Sequence, residues 1–246
     1  MATLVEICVD GPDGLAAAIG GGASRIELCS ALVLGGLTPS PGLMGLAAKA
    51  PIPVYAMIRP RAGDFVFSPA ELDQMRRDID AVRDAGLAGV VLGASEPRGP
   101  LAAAVLARLV EHAAGLGTTL HRAFDAAPDP FAAIDIAATL GFERILTAGG
   151  TGPADDAAPR LADYVAHAGG RIAIMPGGGV RPGNVAQILA ATDAREIHAS
   201  CRVATRYEDE AAIRLGFASP APAAITAPDE VRALVAAVRV FDFAQR

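Results

Sequence analysis

Residues able to do chemistry recur at alternate positions of short apolar runs in this sequence: Glu6 and Cys8, Glu27 and Cys29, Met57 and Arg59, Thr119 and His121, and Glu196, His198 and Ser200. Residues two apart on a β-strand share a face. If those faces point inward, Glu6, Glu27, Arg59, His121 and His198 converge on one cavity. So many ionisable groups are costly to bury unless they pair with one another or with a ligand. The competing, less favoured reading for any one of them is a buried structural ion-pair network in the barrel floor. Five strands contributing together favour a ligand site.

The first chemistry open to such a set is work on a small anion. Arg59 and Arg61 can clamp a carboxylate or phosphate, because guanidinium binds these groups bidentately. Glu27, His121 and Asp125 are the acid–base candidates, since proton transfer needs a carboxylate or imidazole within reach of the reacting atom. Asp125 has a second reading, in which it orients a loop and pairs with Arg122. The run Pro176-Gly-Gly-Gly-Val180 offers the backbone N–H groups of Gly178 and Gly179 to an anion, with a helix expected to start near Arg181 and with Ser200 and Arg202 following the last strand. The plain alternative for the glycines is a tight turn. Walker, HExxH and dinucleotide fingerprints and a Ser-His-Asp order are missing, so an isomerase or lyase is favoured over hydrolysis or nucleotide-driven chemistry.

The periodicity of the chain supplies the elements that must position these residues. Apolar or β-branched runs at 5–10, 25–29, 54–59, 89–93, 118–121, 144–147, 171–175 and 196–200 are each followed by a turn cluster and a segment with helical spacing. Ser68-Pro69-Ala70-Glu71 is a capping box with proline at the first helical position. Leu72, Met75, Ile79 and Val82 then share a face, and Gly86 ends the helix. Asp129-Pro130 opens a helix closed by Gly141, Ser40-Pro41 opens another, and Val231, Leu234, Val235 and Val238 mark a last one. Strict alternation argues for parallel strands. Eight such units in 246 residues favour a closed (β/α)8 TIM barrel over an open sheet. We expect an α/β fold with one TIM-barrel domain over residues 1–246, in which 201–226 is the long irregular stretch. Active sites of this fold gather at the C-terminal ends of the strands, where the alternating residues fall.

Composition narrows the partners. An apolar fraction of 52% with 20% charged residues supports a sizeable core. The 21 Lys+Arg against 27 Asp+Glu leave a net charge of −6, so no basic footprint for nucleic acid or anionic lipid is present. The uncharged stretch 28–48 is broken by Pro39, Pro41 and glycines, and no membrane span is expected. MATLVEICVD lacks the cationic start of a signal peptide. Cys8, Cys29 and Cys201 do not form a disulfide framework, and free thiols suit a reducing, cytoplasmic compartment.

Arg25-Ile-Glu-Leu-Cys-Ser30 running on through Gly35-Gly-Leu-Thr-Pro-Ser40, Met57-Ile-Arg-Pro-Arg-Ala-Gly-Asp-Phe65, His121-Arg-Ala-Phe-Asp125, Gly141-Phe-Glu-Arg-Ile-Leu-Thr147 and Met175-Pro-Gly-Gly-Gly179 carry a more specific signal. With Glu6-Ile-Cys-Val-Asp10 at the start, the chain resembles CutC-type copper homeostasis proteins over essentially its whole length. The resemblance implies a cytosolic TIM barrel, homo-oligomeric as a dimer or tetramer, associated with copper tolerance and with Cu(I) binding, and it maps the copper-handling cysteines onto Cys8 and Cys29. His198-Ala-Ser-Cys-Arg202 stands where the family usually has His-x-Ser-Ala-Arg. Cys201 is out of phase with His198 and is not counted as a ligand.

The physics of Cu(I) can be weighed separately. The ion is soft, prefers thiolate and thioether donors and often takes only two ligands. Cys8 and Cys29 are expected at equivalent ends of adjacent strands, with backbones about 5 Å apart, close enough for both sulfurs to reach one ion. Met57 and His121 can supplement them. Two small buried core cysteines are the competing reading.

Overall fold

The computed structural model describes residues 2–206 and 208–245. Eight parallel strands alternate with helices: β1 (Leu4–Val9), α1 (Pro12–Gly21), β2 (Arg25–Leu28), α2 (Pro41–Ala47), β3 (Val54–Met57), α3 (Pro69–Asp84), β4 (Gly89–Leu92), α4 (Ala103–His112), β5 (Gly117–Leu120), α5 (Pro130–Leu140), β6 (Arg144–Thr147), α6 (Ala158–Ala168), β7 (Ala173–Pro176), α7 (Val185–Thr192) and β8 (Glu196–Ala199). The hydrogen-bonded order runs from β7 down to β1 and on to β8, and β7 lies beside β8 across the remaining seam. This is the (β/α)8 barrel expected from the sequence.

Local signals place the helices. Ser68 Oγ accepts from the Glu71 N–H at 3.3 Å and Glu71 Oε2 accepts from the Ser68 N–H at 2.7 Å, so the capping box satisfies two otherwise orphaned donors at the start of α3. Met75, Ile79 and Val82 bury its inner face. Asp129 caps α5 through the Ala132 N–H at 3.0 Å, and Gly141 closes it at φ 85°. The outward strand faces (Ile7, Ile26, Ile58, Leu92, Leu120) pack under the helices in the main apolar core. Each such fully buried side chain contributes roughly 1.5–3 kcal/mol. Inside the barrel a smaller apolar cluster of Cys29, Tyr55, Met57 and Val91 sits among polar groups.

Two expectations give way. Residues 201–226 are not irregular: β9 (Arg202–Thr205) and β10 (Ala223–Thr226) pair antiparallel with Val203 opposite Ile225, α8 (Glu210–Arg214) lies between them, and α9 (Pro228–Ala244) follows. Four-residue strands whose partner is distant in sequence carry too little period to be read locally. The helix after Val180 begins at Val185 rather than near Arg181, because Asn184 Oδ1 accepts the Arg181 N–H at 2.8 Å in a preceding turn.

Candidate active site and metal centre

Strand parity delivers the inward set, except that Glu6, expected on the same cavity, is fully buried and does not line it, its carboxylate being taken by His198 and Arg25. The register places Glu6 opposite Arg25 on β2 and His198 on β8, and Cys8 opposite Glu27. His198 Nδ1 lies 2.8 Å from Glu6 Oε1, while its Nε2 lies 3.9 Å from Glu27 Oε2. One ligand atom each from Cys8, Glu27 and His198 fall within 4.8 Å of one another, all three residues being buried. Burial alone would raise the Glu6 carboxyl, but its hydrogen bond to His198 and the charge of Arg25 overcome this and hold it at about 2. Burial alone would lower His198. The facing Cys8, Glu27 and Glu6 instead keep the imidazole protonated well above its usual range. Glu27 moves up, chiefly through burial.

A second group faces the same space. His121 caps the one-turn helix Arg122–Ala126, its Nδ1 accepting the Ala123 N–H at 3.1 Å. The neutral ring therefore carries its proton on Nε2, and burial together with the charge of Arg59 lowers its pKa to about 3. Arg59 donates from Nη1 to the carbonyls of Leu34 (2.8 Å) and Gly36 (3.2 Å) and from Nη2 to that of Gly63 (2.9 Å). Phe65 stacks against both, its ring centroid 5.2 Å from the guanidinium carbon and 4.9 Å from the imidazole centroid. Glu27, Arg59, His121, Cys8 and His198 line one cavity of ≈510 Å³ at the C-terminal mouth of the barrel. Glu27 Oε1, Arg59 Nε and His121 Nε2 are buried there without a hydrogen-bond partner.

Beneath the cavity lies an ion-pair network of the kind weighed from the sequence, with two arginines that the sequence reading did not name as candidates. Arg25 pairs with Glu6 and, at 2.5 Å, with Glu196; Arg144 reaches Glu196 and Glu143, both at 2.9 Å. Both guanidiniums stack on Tyr55. Arg25 and Arg144 stand at the start of their strands, two positions before Glu27 and Leu146. The same alternation places them inward, although the sequence reading began the pattern at Glu27 on β2 and drew none on β6.

Several candidates lie elsewhere. Asp125 does not face the mouth: its carboxylate takes Thr147 Oγ1 at 2.5 Å and the N–H groups of Ala148 and Gly150, and pairs with Arg122 at 2.7 Å, so it ties the loop after β6. Arg61 is turned outward to Asp64 and Glu71, at 2.9 and 2.5 Å. Cys29 is not at the level of Cys8, because the register sets Cys8 opposite Glu27. Its thiol instead donates to Glu27 Oε2 at 3.6 Å, and burial pushes that thiol well up. Cys201 packs in the outer core. Gly178, Gly179, Ser200 and Arg202 do line the cavity, although Arg202 spends Nε and Nη2 on the Ala224 carbonyl at 3.0 and 2.8 Å. With α7 starting at Val185, no helix N-terminus directly follows those glycines.

Chemically, the arrangement offers a thiol and an imidazole nitrogen side by side for a soft ion, and two N–H donors with a carboxylate oxygen for a small molecule. The CutC family model matches residues 3–203. A "family protein CutC" of Sinorhizobium medicae (strain WSM419) is 57% identical over 217 residues, covering 88% of this chain and 89% of that one. One of Caulobacter vibrioides (strain NA1000 / CB15N) is 63% identical over 197 residues, 80% of each. The crystal structure of a Streptococcus agalactiae chain assigned as a copper homeostasis protein CutC superimposes with a TM-score of 0.77 at 33% identity, covering 80% of this chain and 98% of that one. Phosphoribosylanthranilate isomerase of Thermotoga maritima shares the fold alone (TM-score 0.60, 13% identity, 97% and 99% covered).

Proposed function

The chain belongs to the CutC family, and we propose that it is a copper homeostasis protein that binds Cu(I) at the barrel mouth through Cys8 Sγ and His198 Nε2. The observation that carries this reading is the convergence of Cys8, Glu27 and His198 ligand atoms within 4.8 Å while Glu6 holds the other nitrogen of His198. A carboxylate on the far nitrogen of a ligating histidine fixes the ring and raises its basicity. A Cu(I) ion would replace the Nε2 proton and take the Cys8 thiolate, a soft donor pair suited to low coordination number. Glu27 supplies only hard oxygen, and its place is to balance charge. Cys29 remains the sulfur added by family resemblance. The free thiols suit a cytosolic protein, and exposed apolar side chains such as Val240 and Phe243 support self-association. Among the described residues no helix is long and apolar enough to cross a membrane.

Competition with a Cu(I) chelator tests the assignment. Cys8→Ser and His198→Gln should each lower affinity by more than the roughly 10–100-fold that an outer-shell loss costs. Cys29→Ser should cost less, and Cys201→Ser nothing. Unchanged affinity in the first two variants contradicts the site.

A second reading is an isomerase- or lyase-type enzyme acting on a small phosphorylated or carboxylated metabolite. It is favoured by the unpartnered Glu27 Oε1 and His121 Nε2 in the same cavity. Exchange of a substrate C–H with solvent deuterium, lost in Glu27→Gln, is its test.

A further inference from the structure

The barrel interior holds three buried arginines of unlike circumstance. Arg25 and Arg144 are paired with carboxylates, whereas Arg59, 7% exposed, makes no ion pair among the described residues and rests on three backbone carbonyls. A buried cation without a counter-charge is costly, and an anionic ligand relieves the cost. Its Nε–H has no acceptor. Nor has the Nε2–H of His121 (3% exposed), and Glu27 Oε1 (3% exposed) accepts from nothing. The side chains that carry these two unpartnered donors and one unpartnered acceptor all line one cavity, whose lining also includes the apolar Met57, Leu146 and Val180.

We propose that this cavity binds a small 2-hydroxycarboxylate, whose carboxylate accepts from Arg59 Nε and His121 Nε2 and whose hydroxyl donates to Glu27 Oε1. The inference rests on the second reading above for the place of the ligand, not for its turnover, and it does not need copper. A hydroxy acid presents an anionic acceptor and an O–H donor on neighbouring carbons, which matches the sign and the hydrogen-bonding sense of all three open atoms. A simple carboxylate leaves Glu27 unsatisfied, and a neutral polyol leaves Arg59 without a counter-charge. Phe65, stacked on both Arg59 and His121, holds the two donors in place before a ligand arrives. The cavity volume of ≈510 Å³ lies in the range of small-molecule sites and admits ligands larger than the three-carbon acid used as a probe.

Calorimetric titration of the metal-free protein with glycerate, propionate, glycerol and inorganic phosphate separates the contributions. Glycerate should bind saturably, and propionate and glycerol each at least ~10-fold more weakly, the equivalent of about one well-made hydrogen bond to a charged group. Arg59→Gln and His121→Gln should each weaken glycerate by about 10-fold or more, while an unchanged far-UV circular dichroism spectrum reports an intact barrel. Absence of glycerate binding assigns the open atoms to water and overturns the proposal. So does an affinity equal to that for propionate, or one unchanged in Arg59→Gln. Phosphate binding tighter than glycerate overturns the hydroxy-acid class. Glycerate binding without deuterium exchange in any hydroxy acid counts against the enzyme reading alone and supports the ligand class.

Discussion

His121 is neutral because burial and the charge of Arg59 push its imidazole to about 3, against 6.5 when unperturbed. As its folded value is the lower, the unfolded chain takes up the proton first, so stability declines as pH falls below 6.5 and continues to decline down to about 3. At 1.36 kcal/mol per unit, the cost at pH 5 is about 2 kcal/mol. Urea unfolding at pH 7.5 and 5 should show that difference in the wild type relative to His121→Gln, and equal pH dependence in the two contradicts a buried neutral ring. Glu6 acts one layer out. Glu6→Gln keeps a group beside Nδ1 of His198 but removes the charge that raises its basicity, so Cu(I) affinity measured by chelator competition should fall about 10–100-fold. Strand parity made the inward direction of Glu6, Glu27, Arg59, His121 and His198 legible in the sequence. Which donors stay open was not legible, because that depends on partners such as the Ala123 N–H and the Leu34 carbonyl.

Elements hold these side chains through close approaches that spacing does not reveal. Gly93, just past β4, lies so near the His121 ring that a Cβ there would stand 2.5 Å from it. Gly93→Ala must therefore displace the ring, and we expect a loss of about 1–3 kcal/mol in urea unfolding together with loss of glycerate binding. At the surface, Ser68→Ala removes half of the α3 capping box and should cost about 1 kcal/mol while leaving the mouth unchanged. Helix starts with a capping residue and proline were readable, since the signal is local. The start of α7 was not, because the Asn184 side chain folds back on Arg181 and delays it. The Cys8–Cys29 pairing was misplaced for a related reason, as the stagger between β1 and β2 belongs to the sheet and sets Cys8 opposite Glu27.

For the whole molecule, closure joins the first strand to the last, and the floor network of Glu6, Arg25, Glu196 and Arg144 crosses that junction. Arg25→Met strips Glu6 and Glu196 of a shared cation and should destabilise the barrel by about 3–5 kcal/mol, followed by circular dichroism because the chain has no tryptophan. The alternating pattern of eight units announced the barrel and the inward Glu6 and Glu196, whereas their pairing with Arg25 and Arg144 depends on strands brought together only by closure. Closure also creates the proposed copper centre, since Cys8 and His198 are 190 positions apart in sequence (198 − 8) yet lie on adjacent strands. Copper K-edge X-ray absorption of the reduced, Cu(I)-loaded protein tests that centre most directly. The expected first shell is one sulfur and one imidazole nitrogen, with the sulfur lost in Cys8→Ser and the nitrogen in His198→Gln. A shell of two sulfurs without imidazole, or one unchanged in both variants, contradicts it.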